Sequence, residues 1–154
     1  MSTTVSAPAW SFAAVRHPEA RVVSAWMNKL QRPPATEGQA KLMRANPGLA
    51  EGMSLDAFID WLAQNVSARG VDAHWRPQHH FICDRHNVRR VSFLARCERL
   101  DEDLRSVADR LGPLEALQRV NVTAGEGGGV ELTRGQRATI RDIYARDFEV
   151  LGYD

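Results

Sequence analysis

The chain has 154 residues, of which 44% are hydrophobic and 25% are charged, and these proportions are typical of a single globular domain with an ordinary core. A formal net charge of +1 argues against broad electrostatic attraction to nucleic acid, so any anion site has to be local. No apolar run approaches the ~20 residues of a membrane-spanning helix, and the N-terminus lacks the pattern of a secretory signal. With two cysteines and no disulfide framework, we expect free thiols and a cytoplasmic location.

The first predicted elements are a strand and a helix. Residues 10–15 form an apolar run that is typical of a buried strand in a parallel sheet. Pro18 opens a predicted helix that ends near Leu30, before two prolines. Residues 31–52 show no sustained period and are predicted to be a long loop. The apolar face of the helix is expected to contain four residues: Val22, Val23, Trp26 and Leu30.

The middle of the chain predicts two further helices and a strand. Ser54 is placed to cap a helix, residues 66–90 are irregular, and residues 91–94 suit a short strand. Asp101 is placed to cap an amphipathic helix that Gly112 closes. The apolar faces of the two helices are predicted to be Leu55, Phe58, Ile59 and Leu62 in the first, and Leu104, Val107, Ala108 and Leu111 in the second.

The last element is a helix that begins with a capping box formed by Thr133 and Gln136 and ends at Gly152. The glycine-rich residues 125–129 before it lack the Lys-Ser/Thr of a phosphate-binding loop and are interpreted as a connector. The apolar side of the helix is predicted to be Ile140, Ile143, Tyr144, Phe148 and Leu151. Together the elements predict an α/β chain, mostly helical, with a small parallel sheet.

The strongest functional pattern lies in residues 15–30, which read VRHPEARVVSAWMNKL. Arg16 ends the predicted strand, and Ser24 lies about 9 Å along the helix from Pro18 at ~1.5 Å per residue. A phosphate dianion needs several charge-assisted donors, and ligands of open α/β sheets bind at the carboxyl ends of strands. Arg16 and Ser24 are therefore candidates for one anion site; the alternative is an unrelated arginine and a solvent-facing serine.

A second pattern is HWRPQ at residues 74–78. His74 is suited to proton exchange near neutral pH, and Trp75 to stacking on a sugar or purine. Arg76 is suited to holding an anion, and Gln78 to recognising hydroxyl groups. The alternative is a proline-stiffened loop whose tryptophan fills the core.

These two segments, followed by residues 91–112 and 143–154, resemble in matching order the sulfotransferases that use 3′-phosphoadenosine 5′-phosphosulfate (PAPS). More narrowly, they resemble the carbohydrate sulfotransferase branch in a bacterial-type form. The resemblance implies a P-loop-type, three-layer sulfotransferase fold. It also implies transfer of a sulfuryl group from PAPS to a hydroxyl of a carbohydrate or glycolipid, without a metal.

The resemblance assigns roles to individual residues. Arg16 and Ser24 stand where the family binds the 3′-phosphate of PAPS, and Arg21 and Lys29 match further positions of that segment. His74 is the candidate catalytic base. The candidate contacts to the acceptor substrate are Trp75, Arg76 and Gln78.

Residues 91–112 match the family less completely. Glu98 and Leu100 agree with its strand–helix segment, whereas Ala95 and Cys97 stand where a glycine and an aromatic residue are usual. We interpret Glu98 as a structural partner of a neighbouring arginine rather than as a catalytic acid.

Residues 1–154 are thus expected to form one sulfotransferase-like domain without the N-terminal strand, loop and helix that bind the 5′-phosphosulfate. A truncated or degenerate chain of this kind is expected to show little or no sulfuryl transfer. The alternative function is a noncatalytic nucleotide- or partner-binding module derived from a sulfotransferase. A third possibility, a zinc site, lacks the usual paired ligand spacing and draws on His74, His79, His80, Cys83, His86 and Cys97.

Overall fold

The computed structural model of the chain describes residues 10–31, 37–67, 71–112 and 129–154. The predicted class is confirmed, because the described part is mostly helical and contains a two-stranded parallel sheet. A 3-10 turn, Cys97–Arg99, precedes the fifth α-helix. In chain order, the elements are β1 (Phe12–Val15), α1 (Pro18–Leu30), α2 (Glu37–Ala45), α3 (Leu55–Asn65), α4 (His79–Ile82), β2 (Phe93–Arg96), α5 (Leu100–Leu111), α6 (Arg134–Ile143) and α7 (Ala145–Leu151).

The sheet consists of β1 and β2, which pair in parallel from Phe12 opposite Phe93 to Val15 opposite Arg96. The predicted second strand exists but begins two residues later than expected. The reason is that the backbone N–H groups of Ser92 and Phe93 both donate to the Ser11 carbonyl, so the ladder starts only at Phe93. Parallel pairing brings the carboxyl ends of both strands to one edge of the sheet.

Three helices, α1, α3 and α6, pack around the main core. Phe58 and Leu62 of α3 are completely buried there, as the helical spacing of their segment predicted. Ser54 caps α3, since its hydroxyl oxygen accepts a hydrogen bond from the Ala57 N–H at 3.2 Å. Trp75, from the loop before α4, lies in the same core.

The prediction of a long loop over residues 31–52 is wrong in part, because α2 occupies Glu37–Ala45. Except for Gly38, the residues of α2 are good helix formers. The nine-residue helix buries Leu42 on its apolar side, and so short an apolar side gives only a weak helical period in the sequence. The Asn46 amide donates to the Leu42 carbonyl at 2.8 Å where α2 ends. Residues 32–36 of the predicted loop lie outside the described ranges.

Two helix boundaries also differ from the predictions. Asp101 lies inside the first turn of α5 instead of capping it, because the 3-10 turn continues directly into the helix. Leu111, expected on the apolar face, is 56% exposed. The predicted last helix is divided at Tyr144, whose ψ of 23° interrupts it between α6 and α7. Gly152 ends α7 with a left-handed φ of 66°, as predicted.

Three further expectations concern caps, thiols and membranes. The capping box of Thr133 and Gln136 is confirmed in both directions. Cys83 and Cys97 are free thiols, as predicted. None of the helices within the described ranges is long and apolar enough to cross a bilayer. Of the glycine-rich residues 125–129, only Gly129 belongs to the part of the chain that the structure describes.

Candidate functional site

A cleft of about 330 Å³ runs along α1 and is bounded on one side by the loop before α4. Arg16 and Ser24, which the sequence placed at one anion site, both line it. The full lining is Arg16, Arg21, Ser24, Ala25, Asn28, Lys29 and His74. Three permanent cations thus lie on one small cleft of a chain whose net charge is only +1, so the positive charge is local.

The polar face of α1 forms most of this cleft. Arg21, Ser24 and Asn28 follow the i, i+3, i+7 spacing of one helical face, while Val22 and Val23 are buried on the other side. Asn28 was not among the predicted site residues. Its position four residues after Ser24 is the sequence signal that identifies it.

Gln78 fixes the backbone of Arg16 at the carboxyl end of β1. The Arg16 N–H donates to Gln78 Oε1 at 2.9 Å, and Gln78 Nε2 donates back to the Arg16 carbonyl at 2.8 Å. Gln78 is buried, so both bonds are shielded from water. The amide of Gln78, predicted to contact an acceptor, is instead used to hold the residue from which the Arg16 guanidinium extends.

Arg21 connects α1 to the loop that carries His74. Its guanidinium donates to the Arg76 carbonyl at 2.8 Å and to the Ala73 carbonyl at 2.7 Å. Burial lowers the pKa of Arg21, against the opposing effects of Tyr144 and Asp147, but an arginine stays protonated in proteins. Carbonyl oxygens satisfy its hydrogen bonds without cancelling its charge, so this wall of the cleft remains cationic.

Ser24 is prepared to donate a hydrogen bond. The Asn28 amide donates to the Ser24 carbonyl at 2.9 Å and to Ser24 Oγ at 3.2 Å. Since Oγ already accepts this bond, its own proton is left to donate. A hydroxyl in that state suits an anionic acceptor.

His74 and Asp72 form a pair on the loop side of the cleft. His74 Nδ1 lies 2.5 Å from Asp72 Oδ1, and the His74 N–H donates to the same oxygen at 2.9 Å. Burial alone raises the pKa of Asp72, but the hydrogen bonds from His74 and the charges of His74 and Lys29 lower it below its usual value. The ionised carboxylate keeps a proton on Nδ1, which leaves Nε2 as the reactive nitrogen of the ring.

The other two predicted contacts to the acceptor substrate, Trp75 and Arg76, do not line the cleft. Trp75 is 1% exposed and packs edge-on against Phe58 and Trp61, with ring centroids 5.7 Å from each. Arg76 donates through Nε and Nη2 to the Val71 carbonyl at 3.0 and 2.6 Å. These contacts agree with the alternative interpretation of a structural loop, since a buried indole has no face to offer a sugar.

A second aspartate–histidine pair, which sequence reasoning missed, lies at the start of α4. The buried carboxylate of Asp147 accepts hydrogen bonds from the N–H groups of Gln78 and His79 at 2.7 and 2.8 Å. It also accepts one from His79 Nδ1 at 2.7 Å. The residues are 68 positions apart, so no local signal reveals the pair.

Within the described ranges, no three metal-ligating side chains come together, which gives the zinc interpretation no support.

Glu98 has a structural position, but its partners differ from the arginine that we expected. Its two carboxylate oxygens accept hydrogen bonds from the His17 N–H at 2.6 Å and from the Tyr153 hydroxyl at 2.9 Å. Burial and the bond to Glu98 raise the pKa of Tyr153. Glu98 therefore connects Tyr153 to the turn between β1 and α1. Its partner in that turn is the backbone N–H of His17 instead of an arginine side chain.

Comparison with known proteins gives a family match. The family model described as "Sulfotransferase family" matches residues 2–154, which is nearly the whole chain. Neither the curated proteins nor the solved structures contain a significant match.

Proposed function

The chain belongs to the sulfotransferase family, and from this premise we propose that it binds PAPS and transfers its sulfuryl group to a hydroxyl of a carbohydrate or glycolipid. The single observation that supports the donor is the cleft, in which Arg16 and Ser24 are accompanied by Arg21 and Lys29. The carbohydrate acceptor is supported by the resemblance of residues 74–78 and 91–112 to that branch of the family.

The residues of the cleft fit a phosphate monoester. Two guanidinium groups and an ammonium group supply the charge that a dianion needs when it leaves water. Ser24 supplies a neutral hydroxyl donor, since its Oγ already accepts a hydrogen bond from the Asn28 amide. The volume of about 330 Å³ exceeds that of a phosphate group alone and falls in the range of small-molecule sites.

In this proposal, PAPS supplies an activated sulfuryl group, and the described residues bind and orient the donor. Arg16, held by Gln78, and Ser24 bind the 3′-phosphate, while Arg21 keeps the opposite wall in place. Group transfer of this kind depends on in-line positioning, so the fixed backbone of Arg16 is the part of the site that matters most. We also propose a cytoplasmic location, supported by the free thiols of Cys83 and Cys97.

The experiment is calorimetric titration of the whole chain with adenosine 3′,5′-bisphosphate. Arg16→Ala is expected to weaken binding by roughly tenfold to a hundredfold, because a charge-assisted hydrogen bond to the phosphate is lost. Arg110→Ala, an exposed arginine at the far end of α5, is the matched control and is expected to bind normally. Wild-type protein that does not bind the bisphosphate, or an Arg16→Ala variant that binds as well as wild type, overturns the proposal.

The alternative function, a noncatalytic nucleotide-binding module, uses the same cleft and predicts the same binding. A transfer assay with PAPS and a mixture of carbohydrate acceptors separates the two functions. Labelled product that depends on Arg16 supports the enzyme and contradicts the expectation of little or no transfer. Arg16-dependent binding without product agrees with that expectation and with the module.

A further inference from the structure

His74 shares its cleft with the residues proposed to bind phosphate. It lies on the lining together with Arg16, Arg21, Ser24 and Lys29, on a loop that Arg21 attaches to α1. A catalytic base has to face the acceptor hydroxyl, whereas His74 lines the same cleft as Arg16 and Ser24. Its position therefore suits a ligand of the anion better than the base that the sequence suggested.

Asp72 determines which nitrogen of His74 is available. The contact of 2.5 Å to Nδ1 and the bond from the His74 N–H keep the carboxylate and the ring in one orientation. With the Nδ1 proton directed at Asp72, only Nε2 can interact with a ligand. Neutral Nε2 is an acceptor and repels a phosphate oxygen, but protonated Nε2 is a charge-assisted donor.

On these grounds we propose that His74 is a ligand of the bound anion and takes up a proton at Nε2 when the anion binds. The inference rests on the proposed function, whose 3′-phosphate subsite it completes. This role replaces that of His74 as a base. When Nε2 donates a hydrogen bond to the 3′-phosphate, it is not available to take a proton from the hydroxyl of the acceptor substrate.

The charges around His74 explain why protonation accompanies binding. The carboxylate of Asp72 lies next to the His74 ring, and Arg16, Arg21 and Lys29 place three positive charges on the lining of the same cleft. The Trp75 ring, 6.3 Å away, carries no charge. A dianion neutralises the field of the three cations and contributes its own attraction, so its arrival shifts the balance toward the protonated ring. The proton comes from the solvent buffer, and the new bond is N–H at Nε2.

Calorimetry in two buffers measures this proton directly. The whole chain is titrated with adenosine 3′,5′-bisphosphate at about pH 7.5 in buffers that differ in their heat of ionisation, within the range where imidazoles exchange protons. The expected result is net uptake of a substantial fraction of one proton per ligand. A phosphate monoester, whose second ionisation lies near pH ~6, releases protons when it binds as a dianion, so uptake is assigned to the protein.

Three variants assign the proton to this pair. In His74→Gln, uptake is expected to disappear and affinity to fall roughly five- to tenfold, while binding persists because the arginines remain. In Asp72→Asn, uptake is expected to shrink because the charge that favours the imidazolium form is gone. His86→Gln, an exposed histidine on the loop after α4, is the matched control and is expected to behave as wild type.

The outcomes separate this inference from the proposed function. If wild-type protein does not bind the bisphosphate at all, both are overturned. If it binds without net proton uptake, or if His74→Gln retains the uptake, only the role of His74 is overturned and the phosphate subsite stands. Uptake that is lost in His74→Gln and kept in His86→Gln supports the inference.

Discussion

The chain contains two aspartate–histidine pairs whose histidines are five residues apart, and their surroundings give them different roles. In the Asp72–His74 pair, the side chains are 27% and 49% exposed and border the cationic cleft. In the Asp147–His79 pair, they are 0% and 13% exposed and lie beneath the start of α4. The contacts between carboxylate and ring nitrogen are similar, at 2.5 and 2.7 Å.

The difference shows that burial, rather than the pair itself, determines the role. The buried carboxylate of Asp147 accepts three hydrogen bonds and holds the backbone around it, so its removal leaves the Gln78 and His79 N–H groups without their acceptor. An exposed pair adds little to stability, but its ring remains accessible to a ligand and to protons. Asp147 is therefore a structural residue, and Asp72 and His74 are candidates for function.

The largest expected effect is on the buried pair. Asp147→Ala removes the acceptor of the Gln78 and His79 N–H groups and is expected to lower the free energy of unfolding by about 3–5 kcal/mol. Asp72→Ala, the equivalent change in the exposed pair, is expected to lower it by less than ~1 kcal/mol. Urea denaturation of both variants measures the comparison directly. Equal losses in the two variants contradict the distinction between the pairs.

The sequence predicts those parts of the fold that depend on local spacing and capping. The cap by Ser54 and the capping box at Thr133 appear as expected because each involves residues three positions apart. The cleft is predictable in the same sense, since β1 and α1 are adjacent and place Arg16 and Ser24 on one side. Asp147 is different, because only the tertiary fold brings α7 to the start of α4.

The second prediction concerns Arg21, which joins the loop of the exposed pair to α1. Arg21→Lys keeps the charge but cannot reach both the Ala73 and Arg76 carbonyls, so we expect about 1–2 kcal/mol less stability. Bisphosphate affinity is expected to fall several-fold because the His74 loop loses its attachment. Calorimetry and urea denaturation measure the two effects, with Arg105→Lys on the exposed side of α5 as the control. Unchanged affinity shows that the loop is held in another way.

The third prediction concerns Tyr144, whose hydroxyl donates to the Trp75 carbonyl at 2.7 Å between the two pairs. Tyr144→Phe is expected to lower the free energy of unfolding by about 1 kcal/mol. Burial raises the pKa of Tyr144, the charge of Arg21 opposes that shift, and the charge of Asp147 adds to it. Its stabilisation is thus complete below the unfolded pKa of ~10 and is lost as the pH rises above that value. Wild-type protein should lose more stability than the variant above about pH 10.

The predicted acceptor contacts depend on tertiary packing, which residue types alone do not reveal. A tryptophan next to a histidine and an arginine has the composition of a sugar-binding loop, yet Trp75 is in the core. Composition records which chemistry a loop contains but not the direction in which each side chain points. That direction is set by Phe58 and Trp61, which come from α3 and lie outside the motif.

The smallest expected effect is the pH dependence of the exposed pair. The pKa of Asp72 is lowered in the folded state, so its contribution to stability is present above the unfolded pKa of ~3.9 and is lost as the pH falls through the lower folded value. The difference in unfolding free energy between wild type and Asp72→Asn should therefore shrink below about pH 4, from a starting value under ~1 kcal/mol. Asp109→Asn, an exposed aspartate of α5, is the control for general acid effects. A difference that grows on acidification means that the folded state favours the protonated carboxyl of Asp72, and the pairing with His74 then gives no electrostatic stabilisation.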